Sequence, residues 1–136
     1  MTPRRRARLA AVQALFELDF QQRPPDDVLA ERLSETPLTA TNQEFARALL
    51  LGVLHHKEDI DAEIERAAPQ WPLEQIAHVD KNVLRLAIYE LMFNESTPAK
   101  VAISEAIELA RLLGGAASPK FVNGVLGAVM DKKEVN

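Results

Sequence analysis

The residues best suited to bind a ligand are four arginines at the start of the chain. They are Arg4, Arg5, Arg6 and Arg8, and residues 1–8 contain no acid. Arginine offers a planar fork that matches a phosphate and a flat face that stacks on an unpaired base. Contacts with about four phosphates predict modest affinity and a salt slope of roughly −3. The cluster therefore indicates a phosphate-binding site that needs a helper to bind tightly.

A solvated, frayed N-terminus is the alternative interpretation of such a charge run. Two features favour binding instead. The arginines belong to an amphipathic helical pattern, and the rest of the chain is acidic. The net charge is −4, yet residues 9–136 hold 12 basic and 20 acidic side chains. Positive charge is therefore concentrated at one end of the chain.

Patterns that would support catalysis or metal binding are weak. His55 and Asp59 share one face of a predicted helix, but this pairing is common by chance, and the Glu-x-x-His element of helical metal sites is absent from the sequence. Gly114-Gly115 lacks the Lys-Ser/Thr of a phosphate-binding loop. No serine has a neighbouring histidine. We therefore expect no enzyme, no cofactor and no metal site.

The composition indicates one domain in a reducing compartment. A chain of 136 residues buries roughly two-thirds of its unfolded surface without disulfides or metals. There are no cysteines, which excludes thiolate chemistry and agrees with a reducing cytoplasm. No apolar run approaches the roughly 18 residues needed to span a bilayer. We therefore expect a cytoplasmic protein without membrane contact.

The elements that must position these residues are helices. In the most apolar stretch, residues 79–93, apolar side chains recur at steps of three and four and cover more than half of the circumference. A helix of this kind must be buried on several sides. Its narrow polar strip is the part left to face water or a partner. The strip consists of Lys81, Asn82, Arg85 and Tyr89.

Proline, glycine and capping residues mark the other helix ends. Thr2-Pro3 and Ser118-Pro119 each pair an N-cap with a proline in the first turn, and Gly114-Gly115 predicts a left-handed stop. Trp71, in a loop, is expected to cap the core. The predicted helices cover residues 3–22, 25–34, 42–67, 79–93, 98–113 and 118 onward, with one short turn at 73–77. The predicted fold is therefore all-α, with six main helices and one short turn.

Several further segments stand out along the chain: RRRAR and AVQAL within residues 4–15, DKNVLRLAIYEL over 80–91, KVAISEAIELA over 100–110 and KFVNGVL over 120–126. In this order they resemble the NusB family of bacterial transcription antitermination factors. The resemblance implies one domain over 1–136, built from two packed three-helix subdomains of about 1–68 and 69–136. It also implies binding of boxA-type single-stranded RNA together with the ribosomal protein NusE. Other Nus factors and RNA polymerase would complete the complex during ribosomal RNA transcription.

The resemblance further implies roles for individual residues. The implied RNA contacts are Arg4, Arg5, Arg6, Arg8, Lys120 and Phe121. The implied NusE-facing residues are Asp80, Arg85 and Tyr89. Some of these have structural alternatives: Phe121 as a core residue, Asp80 as a helix cap and Tyr89 as a hydrogen-bonding residue at the core edge.

Three alternatives remain open at this point. The protein could be a helical adapter that binds proteins without direct RNA contact. A NusB-like domain also precedes the catalytic half of some RNA methyltransferases, although this sequence contains no glycine-rich methyl-donor motif. A helix face implied for NusE or RNA could instead form a homodimer.

Overall fold

Helices make up all the regular secondary structure that a computed structural model describes, over residues 1–94 and 96–135. The α-helices are α1 (Pro3–Leu18), α2 (Pro25–Ser34), α3 (Ala40–His55), α4 (Lys57–Ala67), α5 (His78–Met92), α6 (Ala99–Leu113) and α7 (Ser118–Val135), with a short 3₁₀ turn at Leu73–Gln75. The prediction of an all-α fold is confirmed. Within the described residues, no helix is both long enough and apolar enough to cross a membrane.

The predicted third helix, 42–67, is in fact two helices. α3 ends at His55 and α4 begins at Lys57, since His56 leaves the helical conformation with φ −106° and ψ 17°. The prediction of six main helices was therefore one too few. The chain also divides at this break into two compact units, Met1–His55 and His56–Asn136. The helix α4 thus belongs to the second unit, whereas the predicted boundary lay near residue 68.

The first unit packs α1, α2 and α3 against one another. Its core includes Leu15 of α1, Val28 of α2 and Leu49 of α3, all at most 3% exposed. α1 begins as predicted, with the Thr2 hydroxyl accepting a hydrogen bond of 3.2 Å from the backbone N–H of Arg5. The arginine-rich segment is therefore the ordered first turn of a packed helix.

The second unit is built around α5, which contacts α4, α6 and α7. Ten of its 15 residues are buried, which confirms the prediction of a helix covered on several sides. The prediction of an exposed polar strip is wrong, because three of its four residues are buried. Lys81 is 7% exposed, Asn82 0% and Arg85 4%. Sequence periodicity could not show that α4 supplies a partner for this strip.

The end of α6 differs from the predicted left-handed stop. Gly114 has an extended conformation, with φ −96° and ψ −173°, and the glycines of the described chain have no positive φ. A side chain at Gly114 would nevertheless place its Cβ 2.6 Å from Cβ of Ser118 and 2.9 Å from the Ala110 carbonyl oxygen. Glycine is therefore required here by close packing at the start of α7.

Candidate nucleic-acid interface

The arginine head, defined as Arg4, Arg5, Arg6 and Arg8, lies in the first turns of α1. Arg4 is exposed, while Arg5 and Arg6 are half-buried. The first turn of α1 contains no acidic residue. Because a helix N-terminus already carries partial positive charge, each added cation there is unfavourable by about 0.3–1 kcal/mol. The arrangement does not favour helix stability, but it produces a strongly positive surface that attracts anions.

An aromatic ring in α3 supports two residues of this head. The Cζ atom of Arg4 lies 4.0 Å from the ring centroid of Phe45, and Cζ of Arg8 lies 5.1 Å from it. Both distances fall within the roughly 6 Å range of a cation–π interaction. Sequence reasoning did not identify Phe45, because its only local signal was a place on the apolar stripe of α3.

The four predicted RNA-binding arginines are not equally accessible. Arg8 is only 5% exposed, so its guanidinium lies within the structure rather than on the surface. Arg6 has a buried Nε without a hydrogen-bond partner in the described part of the chain. Arg4 and Arg5 are therefore the members of the head best placed to reach a phosphate.

In the second unit, Lys120 and Phe121 lie in the first turn of α7. Lys120 is exposed, and Phe121 is half-buried. The ring of Phe121 meets Trp71 edge-on, with centroids 6.1 Å apart and an interplanar angle of 83°. Trp71 is 47% exposed, so it does not cap the core as predicted. The two rings form an accessible aromatic pair beside a lysine.

A cavity of about 440 Å³ opens beside this pair. Its walls include Trp71, Phe121, Ile76, Asp80 and the 115–118 turn. Ala116 and Ala117 occupy that turn with short side chains, which leaves the space between the rings and Asp80 open. The lining is mainly apolar with few polar groups, as is typical of sites that bind small organic groups.

Asp80 does not occupy the predicted N-cap of α5. The helix begins at His78 with Ala77 at the cap, so Asp80 is its third residue and lies in the first turn. A carboxylate is favourable there because of the helix dipole. Its Oδ1 atom is buried without a hydrogen-bond partner among the described residues. Such an unsatisfied acceptor costs about 1–3 kcal/mol within the fold.

Arg85 serves the interior of the second unit. Its Nε and Nη2 donate to the two carboxylate oxygens of Asp61 in α4, at 2.8 and 3.0 Å. Its Nη1 donates to Oδ1 of Asn82 at 3.0 Å. Asp61 retains 17% side-chain exposure and Arg85 only 5%. The guanidinium therefore joins α5 to α4 and is largely hidden from a partner protein.

Tyr89 lies in a ring cluster at the end of α5. Its ring is 6.1 Å from His56 and 6.2 Å from Phe93, and the His56 and Phe93 rings stack at 3.9 Å with an angle of 10°. Tyr89 is half-buried, while Phe93 is 36% exposed. Tyr89, which the resemblance implies as a NusE-facing residue, is therefore one of three rings in a partly exposed cluster.

Comparisons with known proteins agree with this fold. Residues 5–131 match the profile of the NusB family. The transcription antitermination protein NusB of Dehalococcoides mccartyi is 46% identical over 128 residues, covering 94% of this chain and 90% of the relative. The solved structure of T. maritima NusB is 42% identical, with a TM-score of 0.86 and coverage of 95% of this chain and 91% of that chain.

A further similar structure contains the antitermination factors NusB and NusE in complex with double-stranded RNA. It is 28% identical, has a TM-score of 0.87, and covers 97% of this chain and 98% of that chain. The family profile and the relatives extend over nearly the whole sequence. The chain therefore belongs to the NusB family.

Proposed function

We propose that the protein is a transcription antitermination factor that binds boxA-type single-stranded RNA together with NusE. It works in the cytoplasm within a complex of Nus factors on RNA polymerase and supports ribosomal RNA transcription. It acts by binding, without catalysis and without a cofactor. The observation that carries this proposal is the arginine head, in which exposed Arg4 lies at a positively charged helix start.

The head contacts phosphates through Arg4 and Arg5, with Arg6 beside them. Arg8 is too buried to take part directly. Few phosphate contacts give weak binding that is sensitive to salt. The acidic remainder of the chain adds repulsion, so tight binding depends on a partner that supplies further contacts.

A single strand suits the second set of predicted RNA contacts better than a duplex. Bases in a duplex are already stacked and paired, whereas unpaired bases are free to stack on aromatic side chains. The pair of Trp71 and Phe121 offers such a surface, and Lys120 supplies a cation for the adjoining phosphate. The half-buried position of Phe121 in a cavity wall favours the base-stacking role over a purely core role.

NusE contacts the second unit through Asp80 and Tyr89 in this proposal. The half-buried carboxylate side chain of Asp80 offers a negative charge to NusE, and the exposed edge of the ring cluster around Tyr89 adds apolar area. Arg85 contributes indirectly, by fixing α5 to α4 through Asp61.

The test is fluorescence-anisotropy titration of a short boxA-like single strand and of its duplex, at two salt concentrations, with and without NusE. We compare the Arg4→Ala/Arg5→Ala double variant with Arg47→Ala. Arg47 is an exposed arginine of the same unit that already pairs with Asp26, so it controls for a general loss of positive charge. Loss of two phosphate contacts flattens the salt slope by about 1.4.

The expected result is weak, salt-sensitive binding of the single strand that tightens when NusE is added. The double variant loses affinity and salt dependence, and Arg47→Ala resembles the parent. Unchanged RNA affinity in the double variant would overturn the RNA site. Capture of NusE without RNA binding in any condition would favour a helical adapter, and preference for the duplex would contradict the single-strand assignment.

A further inference from the structure

Two guanidinium groups of α1 share one aromatic ring of α3. Arg4 and Arg8 lie 4.0 and 5.1 Å from the centroid of Phe45, measured from Cζ. Arg4 is exposed and Arg8 is 5% exposed. The ring therefore holds one cation at the surface and one in the interior, all within the first unit.

Without the Phe45 ring, electrostatic repulsion would push the Arg4 guanidinium away from Arg8 and from the start of α1. Arg4 and Arg8 carry like charges, and both lie near the positive end of the α1 dipole. In the described part of the chain, Arg4 makes no ion pair with an acidic side chain that would hold it in place. The negative face of the Phe45 ring opposes this repulsion, which an aliphatic side chain of similar size would not do.

The geometry leaves Arg4 able to bind a phosphate. A guanidinium uses its flat face for stacking, whereas its N–H groups point outward along its edges. Ordering a long side chain on binding lowers affinity, and a side chain that is already ordered avoids this loss. A stacked Arg4 thus keeps its donors available and needs little rearrangement.

We propose that Phe45 is a positioning residue for RNA phosphates. It contacts no RNA itself and holds the Arg4 guanidinium in the orientation that a phosphate requires, while Arg8 is the buried cation near the same ring. This role rests on the proposed RNA binding by the arginine head. Removal of the ring lowers RNA affinity by about threefold to tenfold, the range expected when one long side chain must be ordered on binding.

The test uses Phe45→Leu, Phe45→Tyr, Arg4→Ala and the Arg4→Ala/Phe45→Leu double variant. Single-stranded boxA-like RNA is titrated by anisotropy at low salt, and circular dichroism confirms that each variant is helical and melts cooperatively. Phe45→Met replaces the leucine variant if the latter does not fold. We expect Phe45→Leu to lower RNA affinity and Phe45→Tyr, which keeps the ring, to retain it. In the Arg4→Ala background, Phe45→Leu should have little further effect on RNA affinity.

The outcomes separate this role from a structural one. If Phe45→Leu lowers RNA affinity equally in the parent and in the Arg4→Ala background, the ring acts through general stability, and the inference is overturned. Full affinity in Phe45→Leu, with reduced affinity in Arg4→Ala, also overturns it but leaves the RNA site intact. Full affinity in Arg4→Ala contradicts the proposed RNA site itself, and the role of Phe45 falls with it.

Discussion

Replacement of Arg85 by methionine tests whether this residue is a structural link or a partner contact. Methionine keeps an unbranched side chain of similar reach but removes the charge. The change leaves the Asp61 carboxylate without its two-bond partner and removes a donor from fully buried Asn82. Loss of one member of a buried ion pair costs about 3–5 kcal/mol. Asp61 is 17% exposed and partly hydrated, so the lower end, about 3 kcal/mol, applies.

This loss corresponds to a large shift in melting temperature. At an unfolding entropy of about 2.1 cal/mol/K per residue, the 136-residue chain loses about 10 °C for 3 kcal/mol. Urea denaturation followed by Trp71 fluorescence reports on the unit that contains Arg85, because Trp71 is the only tryptophan. Far-UV circular dichroism shows whether the whole chain unfolds in the same transition.

Arg47→Met is the matched control for Arg85→Met. Arg47 also pairs with an acid, Asp26, at 2.9 Å, but the two side chains are 48% and 57% exposed. An exposed pair is hydrated and screened, so its loss changes stability little. An Arg85→Met midpoint no lower than that of Arg47→Met would refute the reasoning. It would show that the guanidinium is not needed inside the fold and would restore its assignment to NusE.

Three further changes test local features of the second unit. Burial is the largest single influence on the pKa of Glu63 and raises it, but the hydrogen bonds and positive charges of Arg66 and Lys132 together outweigh burial and hold this pKa below its ordinary value of 4.5. A lowered pKa in the folded state adds stability above pH 4.5, and this stability disappears as the pH falls through the folded pKa. Glu63→Gln should therefore make the free energy of unfolding, measured by urea denaturation, less dependent on pH on the acid side. Parallel curves of this free energy against pH for the variant and the parent would contradict the prediction. Gly114→Ala crowds Ser118 and lowers stability by about 1–3 kcal/mol in the same assay, whereas Gly115→Ala, with open space at its Cβ, changes it little. Gly127 lies in α7, and a Cβ added there also meets open space. Gly127→Ala therefore raises the melting temperature, because alanine favours a helix over glycine by up to about 1 kcal/mol. A lower melting temperature would contradict the open space at this position.

Local signals were enough to predict most helix positions. The Thr2 cap with Pro3 and the start of α7 at Ser118 follow from backbone preferences that depend on a few adjacent residues. The burial of α5 follows from its apolar circumference. These features need no knowledge of distant parts of the chain, which is why sequence reasoning found them.

Features that depend on a second helix were missed or misassigned. Arg85 was assigned to an exposed strip because nothing nearby in the sequence shows that Asp61 faces it from α4. The only local signal of Phe45 is its apolar position in α3, although its ring contacts two arginines of α1. The break at His56 was hidden because apolar spacing continues across it. In each case the deciding contact joins residues far apart in the chain.

The distribution of charge explains why the proposed RNA site is built from so few residues. Residues 9–136 carry 20 acidic and 12 basic groups, so the net charge of this part repels a polyanion, whereas the charge of the arginine head attracts one. The arginine head lies at the N-terminal end of α1, where the helix dipole makes positive charge unfavourable. The cation–π contact of Arg4 with the Phe45 ring offsets part of this cost. A site of this kind orients a strand without holding it tightly on its own. Under the proposed function, stable binding therefore depends on the contacts that the second protein, NusE, supplies.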